Sequence, residues 1–261
     1  MSIQLPLTIQ QLTSEKPYTL DSTGLSGSQI RIYDDMVLKI EEYIDEAENT
    51  AKMLRWLDGK LPAPRLIHHE ISDGKSYMLM SRINGRMSCD FLDEQEMVVS
   101  MMAEGLKMLQ GVDISDCPCC NGLDVKLAAA RYNVENGLVD TENVQPETYG
   151  DGGFSGPAEL LEWLCDNRPE EELTLTHGDF CLPNILLDGG KISGFIDLGK
   201  AGVADRWTDI AICWRSLKDN YNGGYGGKVY EDFDPDLLFE KLGIQPDMEK
   251  LRYYILLDEL F

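Results

Sequence analysis

Apolar and polar positions divide the chain into a strand-patterned first third and a helix-patterned remainder. In "IRIYDDMVLKIEEY" the apolar residues alternate, and β-branched side chains flank Asp34 and Asp35. That pattern predicts a hairpin. "DEAENTAKMLRWLD", residues 45 to 58, carries Met53, Leu54, Trp56 and Leu57 on a polar background, which predicts a helix ended by Gly59 and Pro62. "RLIHHEISDGKSYMLMSRI" then predicts two strands around an Asp73-Gly74 turn, and "NGRMS" (Asn84 to Ser88) a connector. From about Phe91 the period becomes helical: "QEMVVSMMAEGLKMLQGV", "LDVKLAAARYNV", "PAELLEWLCDN", "DIAICWRSLKDN" and "MEKLRYYILLDELF". The Met stripe of the first reads as core. "ENGLVDTENVQPETYGDGGFSG", with Asp140, Glu142 and Glu147, reads as a loop or lid, and "YNGGYGGK" as a turn.

These elements predict an α+β chain of two lobes, a small β-rich one over residues 1–83 and a larger, mostly helical one over residues 84–261, with the site in the cleft. The length, 261 residues, allows two such cores. Forty-six acidic against 23 basic residues give a formal net charge of -23. So acidic a surface argues against nucleic acid and anionic membranes as partners and leaves a cationic partner open. The start of the chain, "MSIQLPLTIQQLTSEKPY", has no basic run leading into an apolar one, and no stretch of about 18 apolar residues occurs, so a soluble cytoplasmic protein is expected. Among the seven cysteines, Cys117, Cys119 and Cys120 cluster in "DCPCCNG"; adjacent cysteines chelate one tetrahedral ion poorly, so these read as reduced thiols.

The chemistry concentrates in "ELTLTHGDFCLPNILLDGGKISGFIDLGKAG". If "LTLT" and "KISGFID" are neighbouring strands, Asp179, Asn184 and Asp197 hang at one end of the sheet. Asp179 can then orient a substrate hydroxyl and accept its proton, while Asn184 and Asp197 offer hard oxygen ligands to the Mg²⁺ that bridges ATP phosphates. His177 reads as a loop-fixing residue. Phosphoryl transfer also needs a lysine on a strand of the small lobe, which "MVLKIE" supplies as Lys39, steadied by a helix glutamate. Glu46 and Glu48 are the candidates, and Glu48 is carried in the candidate nucleotide site. The phosphate-cradling loop falls in Ser22 to Ser28, "STGLSGS", where Gly24 and Gly27 let backbone N–H groups of Ser26, Gly27 and Ser28 approach the phosphates.

"THGDFCLPNILLDGGKISGFIDLGKAGVADRWTDIAICWRS" resembles the catalytic segment of the aminoglycoside 3'-phosphotransferases, the kanamycin kinase family with a protein-kinase-like fold. The resemblance continues through "WLDGKLPAPRLIHHE", "DISDCP", "PEEELTLTHGD" and "YYILLDELF", nearly the whole chain. It implies an enzyme moving the γ-phosphoryl of ATP, or GTP, to a hydroxyl of a kanamycin- or neomycin-type drug, with Mg²⁺ as cofactor and a monomer or weak dimer as the working form. It assigns Asp179 as catalytic base, Asn184 and Asp197 to the metal, Lys39 to the α and β phosphates, and Ser81 to Ile83 as the hinge that reads the nucleotide base. If the last helix runs to Phe261, then Asp258, Glu259 and the Phe261 carboxylate gather at its negative end as a receptor for substrate ammonium groups. Arg215 and Asp219 match further substrate-side positions. Three positions depart from relatives: Leu182 replaces an acid, Val37 an aromatic, and Thr50 falls where a helix Glu is expected.

Overall fold

The computed structural model describes residues 4–21 and 28–261. Its first part is a five-stranded antiparallel sheet in the order β1-β2-β3-β5-β4, where β1 is Thr19–Asp21, β2 Gln29–Ile32, β3 Met36–Glu42, β4 Leu66–Ser72 and β5 Lys75–Ser81. A short helix, α1 (Leu7–Thr13), precedes it. The Asp34-Asp35 hairpin forms as expected, with Ile32 opposite Val37 and the Tyr33 N–H donating to the Met36 carbonyl at 2.9 Å. Strand period two gives β3 two faces. Met36, Leu38 and Ile40 are buried with Ile9, Tyr33, Tyr77 and Leu79, whereas Val37, Lys39 and Glu41 lie on the other face. The β4–β5 hairpin turns through Asp73 (φ 50°) and Gly74 (φ 74°), two left-handed residues as the two-residue turn requires.

Helix α2 (Asp45–Leu57) carries Asp45, Glu46 and Glu48 in its first turn, where acids complement the helix dipole. It buries Ala51, Met53, Leu54 and Leu57 against the larger part of the molecule. Two-residue β6 (Arg86–Met87) leads into α3 (Gln95–Gln110), whose Val98, Met102, Ala103, Leu106 and Leu109 fill the core; Met102 is fully buried. Helices α4 (Leu123–Glu135) and α5 (Pro157–Asp166) follow, separated by residues 136–156. That segment is irregular as expected, yet Thr148 is buried and Phe154 packs on Trp163. The chain continues as β7 (Leu173–Thr176), β8 (Ile185–Asp188), β9 (Lys191–Phe195), β10 (Gly202–Asp205), α6 (Trp207–Tyr221), α7 (Leu237–Leu242) and α8 (Met248–Asp258). Neither β10 nor α7 is foreseen by the apolar pattern. Helix α8 stops at Asp258, with Glu259 as its C-cap. Among the described residues no helix is long and apolar enough to cross a membrane.

One expected pairing is corrected. "LTLT" and "KISGFID" are not neighbouring strands: β7 pairs with β10, whereas β9 pairs with β8 and β8 with β6. Gly189 (φ 56°) and Gly190 (φ 73°) close a tight β8–β9 hairpin, and this local contact forms in preference to the distant one.

Candidate active site

The loop after β7 is built on a buried carboxylate. Asp209, in the first turn of α6, accepts the His177 N–H at 2.6 Å and the Gly178 N–H at 2.9 Å. Burial pushes its carboxyl up, against the pull of His177 and the two amides. Gly178 sits at φ 84°, and a Cβ there would lie 2.1 Å from the Lys200 carbonyl oxygen. His177 Nε2 donates to the Ile196 carbonyl at 2.9 Å, and Nδ1 accepts the Asp179 N–H at 3.3 Å. Those contacts make the His177 ring a clamp between the two loops of the site. The Leu182 N–H donates to Ser216 Oγ at 3.0 Å, and Ser88 Oγ to the Leu182 carbonyl at 2.8 Å. The Leu182 side chain is fully buried, so this departure from relatives serves the core.

Asn184 Nδ2 donates both to Asp179 Oδ2 and to the Asp179 carbonyl, each at 3.0 Å. The amide is thereby turned so that Oδ1 faces away from Asp179. The Ile196 N–H donates to the Asn184 carbonyl at 3.0 Å, which brings the neighbouring Asp197 alongside. Asp197 has left-handed backbone, φ 60° and ψ 59°, a conformation Asp tolerates better than most residues. Its Oδ1 lies 3.2 Å from Lys39 Nζ. Asp179, Asn184, Asp197 and Lys39 are thus brought together. An amide oxygen and a carboxylate are hard donors of the kind Mg²⁺ takes, so these residues fit the ion.

The second partner of Lys39 is Glu41 Oε2 at 3.0 Å, two residues along the same face of β3. Burial lowers the Lys39 ammonium, but Asp197 and Glu41 together hold it above the usual lysine range. Glu48 does not pair with Lys39. It accepts from the Tyr43 hydroxyl at 2.9 Å and faces Lys52 at 3.6 Å, because its position one turn into α2 points it along the helix surface. Glu46 reaches the site instead: a Cβ on Gly199 would touch its carboxylate at 2.4 Å. Burial raises the Glu46 carboxyl, opposed by Lys200 and Lys39. Thr50 Oγ1 bonds back to the Glu46 carbonyl at 2.9 Å. Asn49 Nδ2 ties α2 to the turn after Asp197, through the carbonyls of Gly199 at 2.6 Å and Ala201 at 2.9 Å.

Of the expected phosphate loop, residues 22–27, including Ser26 and Gly27, lie outside the described residues. Ser28 Oγ donates to Glu41 Oε2 at 3.3 Å. At the expected hinge, the Ser81 N–H donates to the Arg65 carbonyl at 2.9 Å and Ser81 Oγ accepts the Arg65 N–H at 2.8 Å, so Ser81 is tied to the residue that precedes β4. Ile83 packs on Gly194, where a Cβ would lie 2.7 Å from Ile83 Cγ2.

The substrate-side candidates also assemble, with a correction. Arg215 is bonded to Asp258 and lies 3.7 Å from Glu259 Oε1, so Asp258 is not a bare cation receptor. Burial alone would raise the Asp258 carboxyl, but Arg215 and Lys200 bring it below the usual range. Burial does raise Glu259, opposed by the Gln145 N–H and Arg215. Asp219 accepts from Gln145 Nε2 at 3.2 Å. Phe261 is half-exposed, its ring centroid 6.0 Å from Lys200 Nζ. Burial lowers the Lys126 ammonium, opposed by Asp258 and, among others, Asp179 of the loop after β7. A cavity of about 580 Å³, lined by Lys60, Lys107, Val112 and Asp116, contains none of these residues. Sequence reasoning missed Asp209, Glu41, Asn49 and Gln145; the one signal was an acid at the start of the otherwise apolar "DIAICW".

A β-rich lobe whose strand lysine meets Asp197 of a helical lobe has the arrangement of a kinase-like phosphotransferase. Residues 18–252 match the model of the phosphotransferase enzyme family. An aminoglycoside 3'-phosphotransferase of Enterococcus faecalis is 44% identical over 83% of this chain and 79% of its own length. One of Staphylococcus aureus is 43% identical over 83% and 80%. The chain therefore belongs to the aminoglycoside 3'-phosphotransferase family. The crystal structure of an aminoglycoside-3'-phosphotransferase of type VIII superposes with a TM-score of 0.73 at 26% identity, covering 97% of each chain. The aminoglycoside phosphotransferase APH(3'')-Id of Streptomyces rimosus shares the fold, with a TM-score of 0.80 at 21% identity over 97% of this chain and 95% of that one.

Proposed function

We propose that this protein transfers the γ-phosphoryl group of ATP to a hydroxyl, the 3' one, of a kanamycin- or neomycin-type aminoglycoside, and thereby confers resistance. The observation that carries the reading is the convergence of Asp179, Asn184, Asp197 and Lys39 within one hydrogen-bonded frame, in a chain whose relatives bear that name. Residues 1–83 hold the nucleotide and residues 84–261 the acceptor. The acceptor oxygen attacks the γ-phosphorus, the bond to the β-phosphate oxygen breaks, ADP leaves, and the hydroxyl proton passes to an Asp179 carboxylate oxygen. Lys39 holds the α and β phosphates. Asn184 Oδ1 and the Asp197 carboxylate would hold Mg²⁺, which would supply charge neutralisation at the phosphates. Asp219, Asp258, Glu259 and Phe261 form the ammonium-binding end, with Arg215 orienting the acids. The protein works in the cytoplasm as a monomer or weak dimer, with ATP or GTP as donor.

The test is ADP release with kanamycin, neomycin and choline as acceptors, each with ATP and then GTP. Turnover is expected with the two aminoglycosides and not with choline, whose quaternary ammonium calls for an aromatic cage. Asp179→Asn is expected to lower kcat by about 10² to 10⁴-fold, the usual contribution of a general base, while ATP still binds. Turnover by choline alone overturns the substrate, and an active Asp179→Asn enzyme overturns the base.

A further inference from the structure

The three acids at the substrate end differ in what already holds them. Asp258 is bonded to Arg215, a cation fixed on α6. Glu259 is buried, and its Oε1 lies 3.7 Å from Arg215, beyond hydrogen-bond range, while it accepts the backbone N–H of Gln145 at 3.3 Å. Asp219 accepts the side-chain amide of the same residue at 3.2 Å. One neutral residue on the irregular 136–156 segment therefore supplies donors to two carboxylates at once. We propose that Gln145 is a specificity-determining residue, a neutral placeholder on Asp219 and Glu259 that gives way to a substrate ammonium and not to a hydroxyl.

The energetics favour that exchange. An amide-to-carboxylate bond is weaker than the bond an ammonium makes to the same oxygen, and Asp219, held by a neutral amide, gains more from a cation than Asp258, which is already bonded to Arg215. A hydroxyl brings no charge and cannot displace the amide at a profit. Tyr149, four residues further along the same segment, has a buried hydroxyl with no partner among the described residues, and it lies within electrostatic reach of Glu259. A donor waiting beside Glu259 fits a segment that re-forms its contacts when Gln145 is displaced.

The inference rests on an aminoglycoside being the substrate, and KM for kanamycin against KM for ATP tests it. Gln145→Ala keeps the backbone N–H on Glu259 and frees Asp219, so KM for kanamycin is expected to fall about tenfold, the lower value of one hydrogen bond to a charged group. Gln145→Met, similar in shape but without donors, is expected to do the same and serves if the alanine variant melts early. Gln145→Lys places a resident ammonium on Asp219 and is expected to raise KM for kanamycin about tenfold or more. KM for ATP is the internal reference for all three. Opposite signs for removal and for charge are the signature of competition. If removal and charge shift KM the same way, or neither shifts it, the placeholder role fails while the substrate assignment stands; if the wild-type enzyme does not phosphorylate kanamycin, both fall.

Discussion

Gly178 has little freedom in the loop after β7. Its φ of 84° suits glycine, and the Lys200 carbonyl oxygen stands where a Cβ would go, 2.1 Å away. That oxygen belongs to backbone held by the Asn121 side chain at 2.9 Å, so it cannot swing aside as a flexible side chain would. Gly178→Ala must therefore push the His177–Asp179 loop away from the turn after Asp197, pulling on the Asp209 bonds beneath it. Strain of this kind costs about 1–3 kcal/mol before the clash is counted. A melting temperature at least about 5 °C lower, with kcat reduced alongside, is the expected outcome; a variant that melts and turns over like wild type would show that the two loops need not touch. At this scale the sequence was readable only where residue type and chemistry coincide. His177, Asp179, Asn184 and Asp197 stand at a telling spacing, whereas Asp209 acts through main-chain amides that any residue could provide, and no motif marks the partner of a backbone N–H.

Helix α2 and strand β3 jointly decide how Lys39 is held, and their three acids have separable roles. Glu41 touches Lys39 and Ser28, Glu46 faces the Gly199 turn, and Glu48 serves Tyr43 and Lys52. Glu41→Gln is expected to raise KM for ATP several-fold by leaving Lys39 with one counter-ion. Glu48→Gln is expected to leave that constant alone. For Glu46 the direction follows from linkage. Burial makes its carboxyl hold a proton more tightly in the folded chain than in the unfolded one. This favours folding below the ordinary glutamate value of about 4.3, and the advantage is lost as pH rises through the raised folded value, so the charged group is a cost at pH 7. Glu46→Gln should melt higher than wild type at pH 7, with the gap closing near pH 4; a lower melting point at pH 7 would show that attraction to Lys200 outweighs burial. Elements were more legible than their contacts. The alternation of "MVLKIE" and the Asp73-Gly74 turn foretold β3 and the β4–β5 hairpin, but helical spacing gave two acids on α2 and no means of choosing between them. The choice depends on which face of α2 meets the turn after Asp197, a contact between residues about 150 apart in the chain. The β7–β10 pairing went unread for the same reason, since a hairpin has a local turn signal and a long-range strand pair has none.

For the whole molecule, a formal net charge of -23 would act on two proposed substrates of opposite sign. An aminoglycoside is a polycation drawn toward this surface, and ATP with its metal is an anion that must approach against it. Both effects weaken as the screening length shrinks from about 30 Å at 0.01 M salt to about 8 Å at 0.15 M. Close contacts such as Arg215 with Asp258 are partly buried and respond little, so the salt effect reports the field of the surface and of the open acidic rim. The two substrates should then respond in opposite directions. Across that range kcat/KM for kanamycin is expected to fall about tenfold, within the span over which surface charge alters encounter rates, while kcat/KM for ATP at saturating magnesium holds or rises. Measuring both constants on one enzyme preparation removes a general effect of salt on the fold, which would lower them together. A parallel fall would sink the idea that the acidic surface serves substrate capture. The charge would then be a matter of solubility, and recognition of the drug would rest on the short-range contacts of Asp219 and Glu259 alone.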